Sequence, residues 1–145
     1  MKKLISWVLL LTIYFGHIAP VYLTANAQVV GKAMNEKMKN VLSHSNIDAL
    51  AINNLNNEIE KFISEYPEFR YQPEFMINYS KILCFYLHDC NKALSNLQEI
   101  LKKIVSVTPI QAQVKLAMAD IYLAMDNPWD AILLCGHCLL YTSDA

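Results

Sequence analysis

The chain reads as all-α, and three observations predict it. Its 145 residues include only three glycines and five prolines, too few for a sheet built from many tight turns. Long stretches lack strict apolar/polar alternation and instead place apolar residues at helical spacing. Helix, short turn, helix then recurs along the chain, so the elements are expected to form antiparallel hairpins. With 54% hydrophobic residues, the length suits one compact domain of modest core once a targeting segment is set aside.

The first 27 residues read as that targeting segment. Lys2 and Lys3 form a basic start, Leu4 to Ile18 an apolar run, and Ala25-Asn26-Ala27 a small-x-small cleavage site, so cleavage is expected between Ala27 and Gln28. The apolar run is shorter than the roughly 20 residues that span a bilayer, and Pro20 follows it closely. The chain is therefore expected to cross the inner membrane and to work in the periplasm or at the cell envelope, with no membrane span after cleavage. Without Lys2 and Lys3 the 12 basic side chains fall to 10 against 13 acidic ones, a formal charge of −3. The densest basic spot is Lys102-Lys103, the solvated face of a helix, so no nucleic-acid partner is expected.

The helices can be justified in order. The first, about Val29 to Leu42, carries a weak stripe of Ala33, Met34, Met38, Val41 and Leu42. The second, about Ile47 to Glu65, starts behind Asn46 as N-cap and carries Leu50, Leu55, Ile59, Phe62 and Ile63, until Tyr66-Pro67 stops it. The third opens with Pro73 in its first turn and runs through Phe75, Met76, Tyr79, Ile82, Leu83 and Phe85-Tyr86 to Leu87. The fourth covers about Asn91 to Val105, with Ala93, Leu94, Leu97, Ile100-Leu101 and Ile104 on its apolar face and Lys92, Gln98, Lys102 and Lys103 on its wet one. The fifth runs from Pro109 to about Met125, and Asp126-Asn127-Pro128 introduces a sixth from Trp129 to about His137.

A helical pair that cannot bury its apolar face alone must stack on a copy of itself, so internal repetition is the decisive sign. Ala93 and Ala131 each follow a turn closely and stand 38 residues apart, and another 38 back lies Leu55, on the inner side of a helix that ends at a turn. At these residues the chain resembles the tetratricopeptide repeat family. That family sets a small residue, an aromatic three later and a small residue nine beyond that, matched here by Ala119, Tyr122 and Ala131. Small side chains let the two helices of a hairpin touch, while the aromatic fills the gap to the neighbouring hairpin. The stretch KFISEYP also resembles helix ends of bacterial envelope members. In the middle repeat Cys84 replaces the aromatic and Lys81 the small residue, and the period of 38 exceeds the family's usual roughly 34.

The resemblance covers about Ile47 to His137 and implies stacked hairpins with Leu55, Ala93, Ala119, Tyr122 and Ala131 as packing residues, so the helical region 28–137 is expected to form a short solenoid. The resemblance says nothing about ligand residues; the expected function is a scaffold or adaptor that binds a protein or peptide partner through Asn, Gln and Lys side chains along a shallow groove, without catalysis or cofactor of its own. The alternative is the N-terminal helical part of a larger envelope enzyme whose catalytic domain lies elsewhere.

Reactive side chains are few. Cys84, His88 and Cys90 form C-x3-H-x-C, which offers three soft ligands to zinc, but no second pair at zinc spacing accompanies them, so no metal is expected. Buried small thiols are the preferred reading; a Cys84–Cys90 disulfide is conceivable in an exported protein and would leave Cys135 unpaired. His44, His88 and His137 sit near helix ends or turns, where they can meet terminal carbonyls. Tyr66, Phe69, Tyr71, Phe75 and Tyr79 are read as packing between the first and second hairpins in preference to a ligand-binding patch.

The last eight residues, CLLYTSDA, resemble a translated sequencing adapter: the transposase-end sequence TGT CTC TTA TAC ACA TCT GAC GCT encodes them in order. Residues 138–145 are therefore expected to be foreign to the natural protein and the repeat region to be truncated. Trp129, Ile132, Leu133 and Leu134 would then form a bare apolar face open to self-association. The signal segment yields the first prediction. Intact-mass analysis of the exported product should show a chain beginning at Gln28, and retention of Lys2-Lys3 in the mature protein would refute it.

Overall fold

The computed structural model describes residues 25–44, 47–104 and 108–140. Chain contacts divide it into two units, Met1–Ala33 and Met34–Ala145. All regular structure among the described residues is helical. The helices are α1 (25–42), α2 (Ala49–Glu65), α3 (Pro73–Phe85), α4 (Cys90–Lys103), α5 (Pro109–Ala124) and α6 (Pro128–Leu140), with a short 3-10 segment at Pro67–Tyr71 before α3. None is long and apolar enough to cross a membrane.

In the first unit the described residues, 25–33, are helical. Helix therefore begins at least four residues ahead of the expected Val29, because Ala25, Ala27 and Gln28 favour the helix as well as the residues that follow. The bond between Ala27 and Gln28 lies in helical backbone, and Ala27 is buried. Residues 1–24, which hold the basic start and apolar run, lie outside the described residues, as do 141–145 of the adapter-like tail.

In the second unit, capping chemistry sets most boundaries. Asp48 caps α2, its carboxylate accepting from the Leu50 N–H at 3.3 Å, so the helix starts two residues later than expected. The expected cap, Asn46, lies outside the described residues. Leu50 sits in the first turn and is exposed, while Ile52, Leu55, Ile59, Phe62 and Ile63 make the buried stripe. Asp89 caps α4 by accepting from the Lys92 N–H at 3.1 Å, and Thr108 caps α5 by accepting from Gln111. Pro73 and Pro109 occupy first-turn positions, where a missing N–H costs nothing. The third helix ends at Phe85, two residues short of expectation, since His88 takes a left-handed conformation (φ 58°) and turns the chain.

The helices pack as hairpins. α4 folds back on α3, α6 folds back on α5, and α5 lies against both α3 and α4. The 3-10 segment contacts α2, α3 and α4. Phe69, its buried residue, has its ring centroid 4.6 Å from Phe62 of α2 and 5.4 Å from Phe75 of α3, both edge-on. Phe62 also lies 5.7 Å from Phe75 and 5.1 Å from Tyr66. Phe69, Phe75 and Tyr79 are thus core, as packing predicts, whereas Tyr71 is exposed with the Lys103 ammonium 5.4 Å above its ring.

One core position runs against polar satisfaction. Ser80 is completely buried and its hydroxyl has no hydrogen-bond partner among the described residues. A buried unpaired hydroxyl costs about 1–3 kcal/mol, so Ser80→Ala should raise stability by about 1 kcal/mol and Tm by a few degrees. Phe62→Ala, which empties the aromatic junction, should cost about 3–5 kcal/mol. Thermal and denaturant unfolding followed by circular dichroism measures both. Destabilisation by Ser80→Ala would show that the hydroxyl has a partner.

Candidate binding surface

The two hairpin turns that frame the fold are built alike. His88 (φ 58°) and Asp126 (φ 56°), both non-glycine residues in the left-handed region, stand 38 residues apart. Each is followed by an N-cap: Asp89 for α4, and for α6 Asn127, whose Oδ1 lies 3.5 Å from the Asp130 N–H. Each is followed five residues on by a buried alanine, Ala93 in α4 and Ala131 in α6. Ala119 is buried on α5, which packs on α6, and Leu55 is buried on α2. Tyr122 is only half-buried. Lys81, at a position where the resemblance leads one to expect a small residue, reaches the Asp120 carboxylate of α5 at 3.1 Å.

Next to the α3–α4 turn, α1 and α3 form an open cleft of about 690 Å³, lined by Lys39, Leu42, Ser43, Asn78, Lys81, Phe85 and Tyr86. A polar chain runs along it. Asn78 donates to Asn35 Oδ1 at 2.8 Å, Asn35 donates to Glu74 Oε1 at 3.2 Å, and Lys39 pairs with Glu74 at 2.7 Å and with Glu36 at 3.3 Å. Hydrogen bonds to Glu74 and then Glu36 hold the Lys39 ammonium above the usual lysine range, and the Lys39 bond holds the Glu74 carboxyl below the usual carboxylate range. The other wall is apolar: Phe85 is exposed, and Tyr86 points its hydroxyl to within 3.0 Å of both the Val41 and His44 carbonyl oxygens at the end of α1. His44 closes that end by donating from Nδ1 to the Asn40 carbonyl at 2.6 Å. Such a surface offers apolar contact, amide hydrogen bonds and charge side by side. Leu42, Lys81, Phe85 and Tyr86 are legible in sequence only as helix residues and not as one surface, because the lining comes from two segments about 40 positions apart.

A second, smaller recess of about 60 Å³ lies where α2, α3 and α4 meet, with Glu60, Tyr79 and Lys92 on its wall. The Tyr79 hydroxyl donates to the Glu60 carboxylate and lies 3.0 Å from Asn56 Oδ1, and Lys92 pairs with Glu60 at 2.8 Å. Burial, and then the bond to Glu60, hold the phenol well above the usual tyrosine range, so it stays protonated. Burial pushes the Glu60 carboxyl up, but Lys92 and Tyr79 together pull it lower still, so it stays ionised. The three groups tie three helices together.

The cysteine expectation needs correction. Cys84 and Cys90 are joined by a disulfide across the α3–α4 turn, where buried thiols were preferred; left-handed His88 brings the end of α3 and the start of α4 close enough. Both sulfurs are thereby spent as metal ligands, and His88 is exposed. Cys135 is free and half-buried. Trp129 (76% exposed), Ile132 and Leu133 leave an apolar face on α6, while Leu134 is half-buried.

The tie at Glu60 predicts a pH dependence. A carboxyl whose pKa is depressed on folding adds stability above its unfolded value, about 4.3, and this is lost as pH falls through the folded one. Glu60→Gln should therefore lower stability at pH 7 and narrow its gap to the unsubstituted protein as pH drops below about 4. Urea midpoints from about pH 3 to about pH 7 test this, and a gap constant with pH would refute it. The chain matches no family model, no curated protein and no solved structure.

Proposed function

We propose that this chain is an exported scaffold or adaptor of tetratricopeptide type, which binds a peptide or protein partner at the cell envelope and performs no catalysis itself. The observation that carries the reading is the open cleft between α1 and α3, where Leu42, Phe85 and Tyr86 stand beside Lys39, Asn78 and Lys81. Pre-formed helices bearing such a mixed lining bind at low conformational cost. Two further features support it. The turns at His88 and Asp126 repeat at the 38-residue spacing of Ala93 and Ala131, as stacked hairpins require. The Cys84–Cys90 bond suits an oxidising compartment, in keeping with an exported chain. In the same reading the bare Trp129, Ile132 and Leu133 of α6 give the protein a means of self-association.

Site-specific photo-crosslinking in cells tests the cleft. A photoreactive residue at position 85 should yield a discrete adduct, and one at position 98, on the exposed face of α4, should not. Equal adducts at both positions, or none at 85, would refute the reading.

A further inference from the structure

We propose that the Cys84–Cys90 disulfide is a redox lock on the cleft wall: the bond orders Phe85 and Tyr86 and, through Tyr86, the end of α1, and its reduction by a dithiol releases them. Only the consequence for binding rests on the cleft being the binding surface; the lock itself concerns residues 41–44 and 84–90. Three observations carry it. The bond brackets the cleft residues, for Phe85 and Tyr86 lie between its cysteines. Tyr86 in turn reaches the Val41 and His44 carbonyls, so order in the loop is passed to α1. The third is a comparison within the chain. Tyr122 and Pro128 stand 38 positions on from Cys84 and Cys90, and their turn closes by a six-residue bond from the Asn127 N–H to the Tyr122 carbonyl at 2.9 Å. The α3–α4 turn closes one residue wider, from the Asp89 N–H to the Leu83 carbonyl at 2.8 Å, and that wider loop is the one with the covalent staple.

The chemistry is thiol–disulfide exchange. Cys84 is 2% exposed and Cys90 is half-buried, so an incoming dithiol thiolate attacks Cys90 Sγ, forms a mixed disulfide there and displaces Cys84 as a thiolate, which takes up a proton. The second thiolate of the dithiol then closes on its own partner sulfur, leaving as a cyclic disulfide. Cys90 departs as a thiolate and is protonated. Two electrons and two protons pass from the dithiol to the protein.

Hydrogen exchange on the full chain, oxidised and in dithiothreitol, tests the lock. On reduction the amides of His44, Leu87 and Asp89 should exchange about tenfold faster, while those of Met125, Asp126 and Asn127 in the unstapled turn keep their rates. The double variant Cys84→Ser/Cys90→Ser should reproduce the reduced pattern without reductant. Equal rates in both states, an oxidised pattern in the double variant, or equal acceleration in both turns would overturn the proposal, the last by marking a general loss of stability. Crosslinking from position 85 should fall on reduction, and an unchanged yield would overturn the coupling to the cleft. Absence of any adduct in either state, with the exchange difference intact, would sink the cleft reading and leave the lock standing.

Discussion

The rest of the second unit depends on the contact of Phe69 with Phe62 and Phe75. A 3-10 segment five residues long has poor hydrogen-bond geometry and little stability of its own, so its conformation must come from what it buries. Phe69 supplies that by sitting edge-on to one ring from α2 and one from α3. Pro67 and Pro73 restrict the backbone at both ends of the same stretch, which lowers the entropy lost in fixing it. The junction sets the angle at which α3 leaves α2. Every later element is then placed by packing on α3 or on a neighbour of α3, and the cleft exists because α3 presents Asn78, Lys81 and Phe85 beside α1.

The parts of this fold legible in sequence are those set by local chemistry. Pro73 and Pro109 mark helix starts wherever the chain folds, and the stripes Leu55–Ile59–Phe62 and Ala93–Leu97–Ile100 bury as their spacing demands. The cap of α2 was misplaced because Asn46 and Asp48 are both good caps, and only the backbone decides which carboxyl or amide meets a free N–H. The 3-10 segment was missed because five residues carry no readable period. The disulfide was undervalued for another reason: C-x5-C pairs only if the intervening turn doubles back sharply, and that turn depends on His88 adopting positive φ against its intrinsic preference. The cleft was out of reach altogether, since Lys39 and Lys81 come together through packing and not through spacing.

The left-handed residues show how the two turns are held without glycine. His88 and Asp126 occupy a region that costs a side-chain-bearing residue roughly 1–2 kcal/mol relative to right-handed backbone. Glycine would avoid the strain but widen the unfolded ensemble. In both turns the strained residue is followed at once by a side chain that caps the next helix, so the carboxylate or amide bond offsets part of the cost. The same local arrangement thus ends one helix and begins the next, which is why it serves at both turns.

Charge distribution completes the account of how the hairpins find their places. Lys37 pairs with Glu58 between α1 and α2, Lys39 with Glu74 between α1 and α3, Lys92 with Glu60 between α4 and α2, and Lys81 with Asp120 between α3 and α5. These side chains are largely solvated, and exposed pairs contribute about 0–1 kcal/mol each. Their sum is small beside the burial of Phe62, Phe69, Ile82, Leu97 and Ile121, which are core. Apolar transfer is non-directional, so the register of two faces rich in Ile, Leu and Ala is fixed by how their side chains interdigitate and by the polar ties at their edges. A slip of one turn, about 5.4 Å, would separate each of these lysines from its partner and leave the Tyr79 hydroxyl without Glu60. The ion pairs therefore reinforce the register set by packing, and that register places Lys81 and Phe85 of α3 in the same cleft as Lys39 and Leu42 of α1.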